Sequence, residues 1–302
     1  MAFILGGNTS IYLASVGGSI PFVFDSDALQ FINEWETNTT VTMPTTQRLA
    51  VNDFYRGLKG EGTPNGSNLW SLATSVNARI FPLIPLTDST ANGLAYSLDA
   101  VSNGVIKGTY TNFVSADFTQ NGVIASTTKF FNSGVAPNVY NINSMALSVY
   151  SRTNLAANAN FDFAASDAAT SNAYILNSMN AANEFNFVIS NNTSLTPPII
   201  SDSSGFNLIQ NNNTSKSAVK DGVTLSTVVQ PLTSQTTRNL YFHSWNNDGT
   251  SSNPSVRQLC FYEIGMPFLS VNELLDFYTV VQRLQSNVIT GGRQIGTVIP
   301  PI

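Results

Sequence analysis

The chain has 302 residues, 42% hydrophobic and 10% charged, with a net charge of −5 at pH 7. The charged share is far below the ~25% usual for soluble domains, so solubility rests on Asn, Ser and Thr, and the 13 Lys and Arg form no basic patch for nucleic acid. One cysteine, Cys260, excludes an internal disulfide, no Cys/His pattern suggests zinc, and no apolar run approaches the ~20 residues that membrane insertion needs.

Residues 1–24 read as an extended arm. Phe3–Leu5, Ile11–Ala14 and Ile20–Phe24 are short strand-like runs parted by glycine pairs. Such a segment has too little to bury by itself, so it is expected to anchor on a neighbouring subunit. The start, MAFILGGNTS, has no positive n-region and makes a poor signal peptide. N-x-S/T sequons at Asn8, Asn38, Asn65, Asn192 and Asn213 are expected by chance in so Asn-, Ser- and Thr-rich a chain.

Residues 25–302 read as one unit of short helices followed by a sandwich. Asp25 or Ser26 opens a helix with Leu29, Ile32 and Trp35 on one face. Thr45–Leu58 is a second helix, capped by Thr45 or Thr46, with Leu49, Phe54, Tyr55 and Leu58 on its apolar side. A Gly-rich loop, Gly60–Ser67, precedes a third helix at Leu69–Val76. Ala78–Pro85 is a strand that Pro82 and Pro85 confine to an edge or bend.

From about Ala91 the pattern turns all-β, with runs of Val, Ile, Phe, Tyr and Thr between Asn, Ser and Gly turns. Strands are expected at Val105–Tyr110, Val123–Thr128, Met145–Arg152, Ala173–Leu176, Glu184–Ile189 and Phe206–Gln210. Ser217–Lys220 and Leu225–Val229 should form a hairpin across Asp221-Gly222. Leu240–His243 and Val256–Ile264 are two further strands, with Trp245–Pro254 as a polar loop between them. Spacing of roughly ten residues favours an antiparallel β-sandwich. Ser270 and Glu273 then form a capping box. Leu274, Phe277, Tyr278, Val281, Leu284 and Val288 follow as one apolar helical stripe, and Gly291 and Gly292 stop it.

These last residues carry a resemblance. Phe261, Ile264, Gly265, Leu269, Asn272, Glu273, Leu275, Tyr278, Val281, Gln282, Leu284 and Gln285 resemble the end of a concanavalin A-like, laminin-G-type jelly roll. That jelly roll occurs in structural proteins of tailed bacteriophages, crAss-like phages included. Leu69-Trp70-Ser71, Phe81-Pro82, Phe131–Asn138, Leu147–Thr153 and the Asp221-Gly222 hairpin are similar to further segments of the family. A longer Gly-rich insertion separates Gly57-Leu58-Lys59 from Leu69-Trp70 and breaks the family's register there. The resemblance implies a mainly β fold, a concanavalin A-like jelly roll with N-terminal helices and one C-terminal amphipathic helix packed at its end.

Chemistry is sparse. His243 is the single histidine, so any histidine base must use it; it reads either as part of a sugar site or as a core histidine. Glycanase carboxylates would need i, i+2 or i, i+4 spacing on one strand. Glu34 and Glu36 fall at a helix end, Asp162 and Asp167 in a loop region, and Glu263 stands alone. The loop Trp245, Asn246, Asn247, Asp248 and Gly249 offers an aromatic face and amides for glycan contact. Its oxygens could hold Ca²⁺, although one carboxylate is thin for such a site and a plain turn is the alternative.

The expectation is a non-enzymatic virion structural protein, assembled in a bacterial host's cytoplasm and displayed on head, collar or tail. Other virion proteins would hold the arm, and a homo-oligomer is expected, a trimer by the symmetry of phage fibres. The alternative is a lectin-like module recognising host surface glycans.

Overall fold

The computed structural model describes residues 10–12, 21–85, 92–126, 128–156, 160–168, 172–189, 198–212, 214–229, 234–267 and 269–288. Phe3–Leu5, the Gly291-Gly292 stop and the sequons at Asn8, Asn192 and Asn213 lie outside them.

Two antiparallel sheets form a sandwich. The first runs β16 (Val223–Val229), β15 (Ser215–Lys220), β14 (Gly205–Asn212), β10 (Ser144–Ser151), β20 (Gln258–Ile264), β8 (Gly122–Ile124), β7 (Phe118–Thr119), with β3 (Arg79–Phe81) also paired to β20. The second runs β13 (Asn186–Ile189), β12 (Tyr174–Asn177), β11 (Phe163–Ser166), β17 (Tyr241–Phe242), β9 (Phe130–Asn132), β6 (Thr109–Thr111). A hairpin of β18 (Trp245–Asn247) and β19 (Thr250–Ser252) joins it by a parallel pairing of β18 with β11. β4 (Leu98–Asp99) and β5 (Val105–Ile106) form a small ribbon, and β1 (Ser10–Tyr12) pairs only with β2 (Pro21–Val23) among the described residues.

Aromatic rings join the sheets. Tyr262 of β20 stacks on Phe242 of β17 at 4.3 Å and packs on Phe131 of β9 at 5.2 Å, and Phe81 of β3 meets Phe131 edge-on at 5.0 Å. Strand alternation then sends Phe261 the other way, to Phe54 and Phe277. β20 and the adjoining β10 are therefore buried on both faces.

Helices lie on the outer face of the first sheet: α2 (Thr45–Leu58) and α5 (Val271–Val288) pack on it through Phe54 and Phe277, which meet Phe261; α1 (Ser26–Thr39) and α3 (Leu69–Ser75) pack on α2, where Phe31 and Trp70 meet Tyr55; and the short α4 (Asn92–Ala95) sets Gly93 against Phe118 of β7. Asp25 caps α1 by accepting from the amides of Asp27 and Ala28. α2 has the expected span, yet it begins after Pro44 with no side-chain cap from Thr45 or Thr46. The α5 box forms as expected, with Ser270 N donating to Glu273 and Glu273 N to Ser270. Phe277 packs on Phe206 of β14 and on Phe261. The C-terminal helix therefore lies across a sheet face, not at one end of the sandwich, because its stripe has a second apolar surface to cover there.

Two local expectations change. Val105–Tyr110 splits into β5 and β6 around Gly108, where an added Cβ would lie 1.9 Å from the Phe131 ring. The expected polar loop 245–254 contains the β18–β19 hairpin.

Candidate functional site

The hairpin turns on Asp248 and Gly249, both left-handed with φ of 50° and 92°. That is the backbone of a two-residue type I′ turn, and Asp-Gly is its favoured pair. Asn246 is buried and fully committed. Its Nδ2 donates to Asn239 O at 2.8 Å, and its Oδ1 accepts from Gly249 N at 2.8 Å. It builds the turn and is withdrawn from ligand contact. Trp245 and Asn247 are partly buried, and Asp248 is exposed.

Trp245 sits on the outer face of the second sheet. Alternation along β11 and β12 points Phe163, Tyr174 and Leu176 into the sandwich and Ala164 and Ile175 outward, and Trp245 packs on the outward pair. Its indole N–H donates to Ser166 Oγ at 2.9 Å, and its ring meets Phe161 edge-on at 5.7 Å. The ring is held in one orientation by a polar tether and an aromatic neighbour.

A polar rim runs along the hairpin turn beside it. Asp248 N donates to Ser166 O at 3.1 Å, and the Asp248 carboxylate pairs with the exposed guanidinium of Arg238. Asp167 accepts from Asn172, from Thr236 Oγ1, and from the amide and hydroxyl of Thr237. Partial burial opposes ionisation of Asp167, but these hydrogen bonds outweigh it and hold the carboxyl below its ordinary value. Sequence reading missed Ser166 as the partner of Trp245, and Arg238 as the partner of Asp248. It also missed Phe130 and Tyr241, stacked at 4.2 Å. The Phe-Phe and Tyr-Phe doublets were the available signal, since one ring of such a pair in a strand must face away from the core.

The titratable groups of the interior are structural. His243 is wholly buried, with Nε2 2.6 Å from Tyr262 Oη, while Nδ1 has no hydrogen-bond partner among the described residues. Burial pushes its imidazole down to about 3 against the fields of Asp162 and Asp117. It is the core histidine of the two readings, closed off from solvent and a weak base. Its φ of 63° lets the chain reverse from β17 into β18. Asp162 is buried under Arg257, Ser178 and Ser255. Glu36 pairs with Arg48 at 2.6 Å, and Glu34 stands two residues away on α1, where side chains diverge. Among the described residues no three His, Cys, Asp or Glu gather as a metal site, and the one carboxylate of the hairpin is held by Arg238.

No family model matches the chain, and no curated protein matches it in sequence. Solved structures do resemble it. A Trypanosoma rangeli sialidase mutant displaying trans-sialidase activity superposes with a TM-score of 0.53 at 9% identity, over 93% of this chain and 44% of that one. The CBM40 of the Ruminococcus gnavus IT-sialidase gives 0.39 at 16% identity, over 51% and 94%. The NanB sialidase of Streptococcus pneumoniae gives 0.40 at 10%, over 49% and 26%. The chain thus spans less than half of either sialidase. At these identities the likeness bears on fold alone and is compatible with a concanavalin A-like sandwich.

Proposed function

We propose that this chain is a carbohydrate-binding, lectin-like module whose ligand lies against Trp245. The observation that carries the reading is a half-buried indole, fixed by Ser166 and Phe161 on the sheet face opposite the helices, with Asn247 and its cross-strand partner Thr250 next along the same hairpin. Aromatic faces stack on the C–H surfaces of sugars, and amides and hydroxyls exchange hydrogen bonds with sugar hydroxyls. Contact is assigned to Trp245, Asn247 and Asp248, with Asn246 as the residue that shapes the turn. The module is read as a binder rather than a glycanase because Asp162, Glu36 and Glu263 are each engaged by the fold.

A glycan array with host-type oligosaccharides, sialyllactoses included, tests this. Wild type should bind a definable set, and Trp245→Ala should weaken that binding at least tenfold at unchanged thermal stability. An array on which wild type binds nothing sinks the reading.

A second reading is favoured by the β1–β2 ribbon, which among the described residues joins neither sheet of the sandwich. Here the chain is a virion structural protein of a tailed phage, anchored through residues 1–24 to other subunits as a homo-oligomer, with trimers first in expectation. Solution masses of the full chain and of a chain lacking residues 1–24 decide it. An oligomer that becomes a folded monomer supports the anchor; two monomers count against it.

A further inference from the structure

We propose that the Trp245 site selects an uncharged sugar and rejects sugars that carry a carboxylate. This rests on the lectin reading above and adds the chemical class of its ligand. Three charged side chains lie in the contiguous rim. The only cation among them, Arg238, is taken up by the Asp248 carboxylate from the tip of the hairpin. Asp167, two hydrogen-bonded residues away through Thr236 and Thr237, keeps its charge because four donors hold it. The rim therefore carries one net negative charge at neutral pH.

The rest of the hairpin adds no charge: Asn246, Asn247, Gly249, Thr250 and Ser251 are all neutral. A carboxylate placed against Trp245 would meet Asp167 and Asp248 and would have to detach Arg238 from its partner to find a counter-ion. A neutral sugar meets an aromatic face, amides and hydroxyls, and leaves the ion pair whole.

The test compares one neutral lactose-terminated glycan with the same glycan capped by sialic acid, on wild type and on Asp248→Asn. Asn also accepts the left-handed backbone of this turn, so the variant keeps the hairpin. Wild type should bind the neutral glycan roughly three- to tenfold more tightly at low salt, with the gap narrowing as salt rises. In Asp248→Asn, Arg238 is released and the gap should close or reverse. Equal or tighter wild-type binding of the capped glycan, lost in Trp245→Ala, overturns the selectivity and leaves the lectin reading standing. A gap that neither salt nor Asp248→Asn changes also overturns it. Absence of binding to either glycan sinks both readings together.

Discussion

The guanidinium of Arg257 lies 3.0 Å from the carboxylate of Asp162, and neither side chain has any exposure to solvent. Arg257 also donates from Nε to Leu155 O at 2.9 Å and from its second terminal nitrogen to Met179 O. Ser178 and Ser255 complete the shell of Asp162. One planar fork thus fastens three chain segments beside the second sheet. Arg257→Ala should destabilise the fold by about 3–5 kcal/mol, because it strands a buried carboxylate. Arg257→Lys should recover little, since an ammonium cannot span the three acceptors. Urea midpoints check both; a loss below about 1 kcal/mol for Arg257→Ala would show that water or relaxation compensates.

Glu263 should make the protein less stable as pH rises. Burial pushes its carboxyl up to about 8, although Met266 N and Ser148 Oγ donate to it. The fold then holds a proton that the unfolded chain gives up near the ordinary 4.5. Its stabilisation is full below that value and is lost as pH climbs through about 8, a change on the order of a few kcal/mol. Glu263→Gln can still accept from Met266 N and can donate from its amide nitrogen to Ser148 Oγ, without titrating. Its unfolding free energy should fall less than that of wild type between pH 5 and pH 8.5. Parallel curves would refute the assignment.

His243 acts with the opposite sign. Its folded value of about 3 lies below the unbound 6.5, so its contribution is present above pH 6.5 and is lost as pH falls toward 3. His243→Asn keeps a residue that tolerates the left-handed backbone and removes the titration. The variant should be less stable at pH 7 by about 1–3 kcal/mol, through the lost Tyr262 bond and the smaller side chain. Its further loss between pH 6.5 and pH 4 should be shallower than in wild type. An equally steep acid limb would place the sensitivity elsewhere.

Gly265 should resist substitution. Its φ is 90°, and an added Cβ would stand 2.2 Å from the Tyr140 ring. Gly265→Ala should lower stability by roughly 2 kcal/mol or more, through backbone strain and a ring that has to move. Pairing it with Tyr140→Ala should remove the clash and leave the strain, so a double-mutant cycle should show partial, not full, relief.

Where local chemistry decides structure, the sequence was legible. Ser270 and Glu273 mark the start of α5, Asp221-Gly222 the β15–β16 turn, and α2 has the span its periodicity predicts. The β18–β19 hairpin was less visible, because Asn, Ser and Thr carry weak strand preference; the Asp248-Gly249 pair was the cue that outweighed it. The Arg257–Asp162 pair joins residues 95 apart, and no local pattern announces such a partner. The candidate site was half legible. Trp245 could be singled out as an aromatic in a polar stretch, whereas Ser166 arrives there only through the parallel pairing of β18 with β11, and Arg238 only through its ion pair with Asp248.

The placement of the helices gives the molecule a front and a back. The chain leaves the β1–β2 ribbon directly into α1, on the helical side of the sandwich, while Trp245 faces outward from the opposite sheet. A surface that grips the ribbon would hold the domain by its helical back. The indole, its rim and the Phe130–Tyr241 stack would then point away from that anchor, so attachment and recognition would not compete for the same ground.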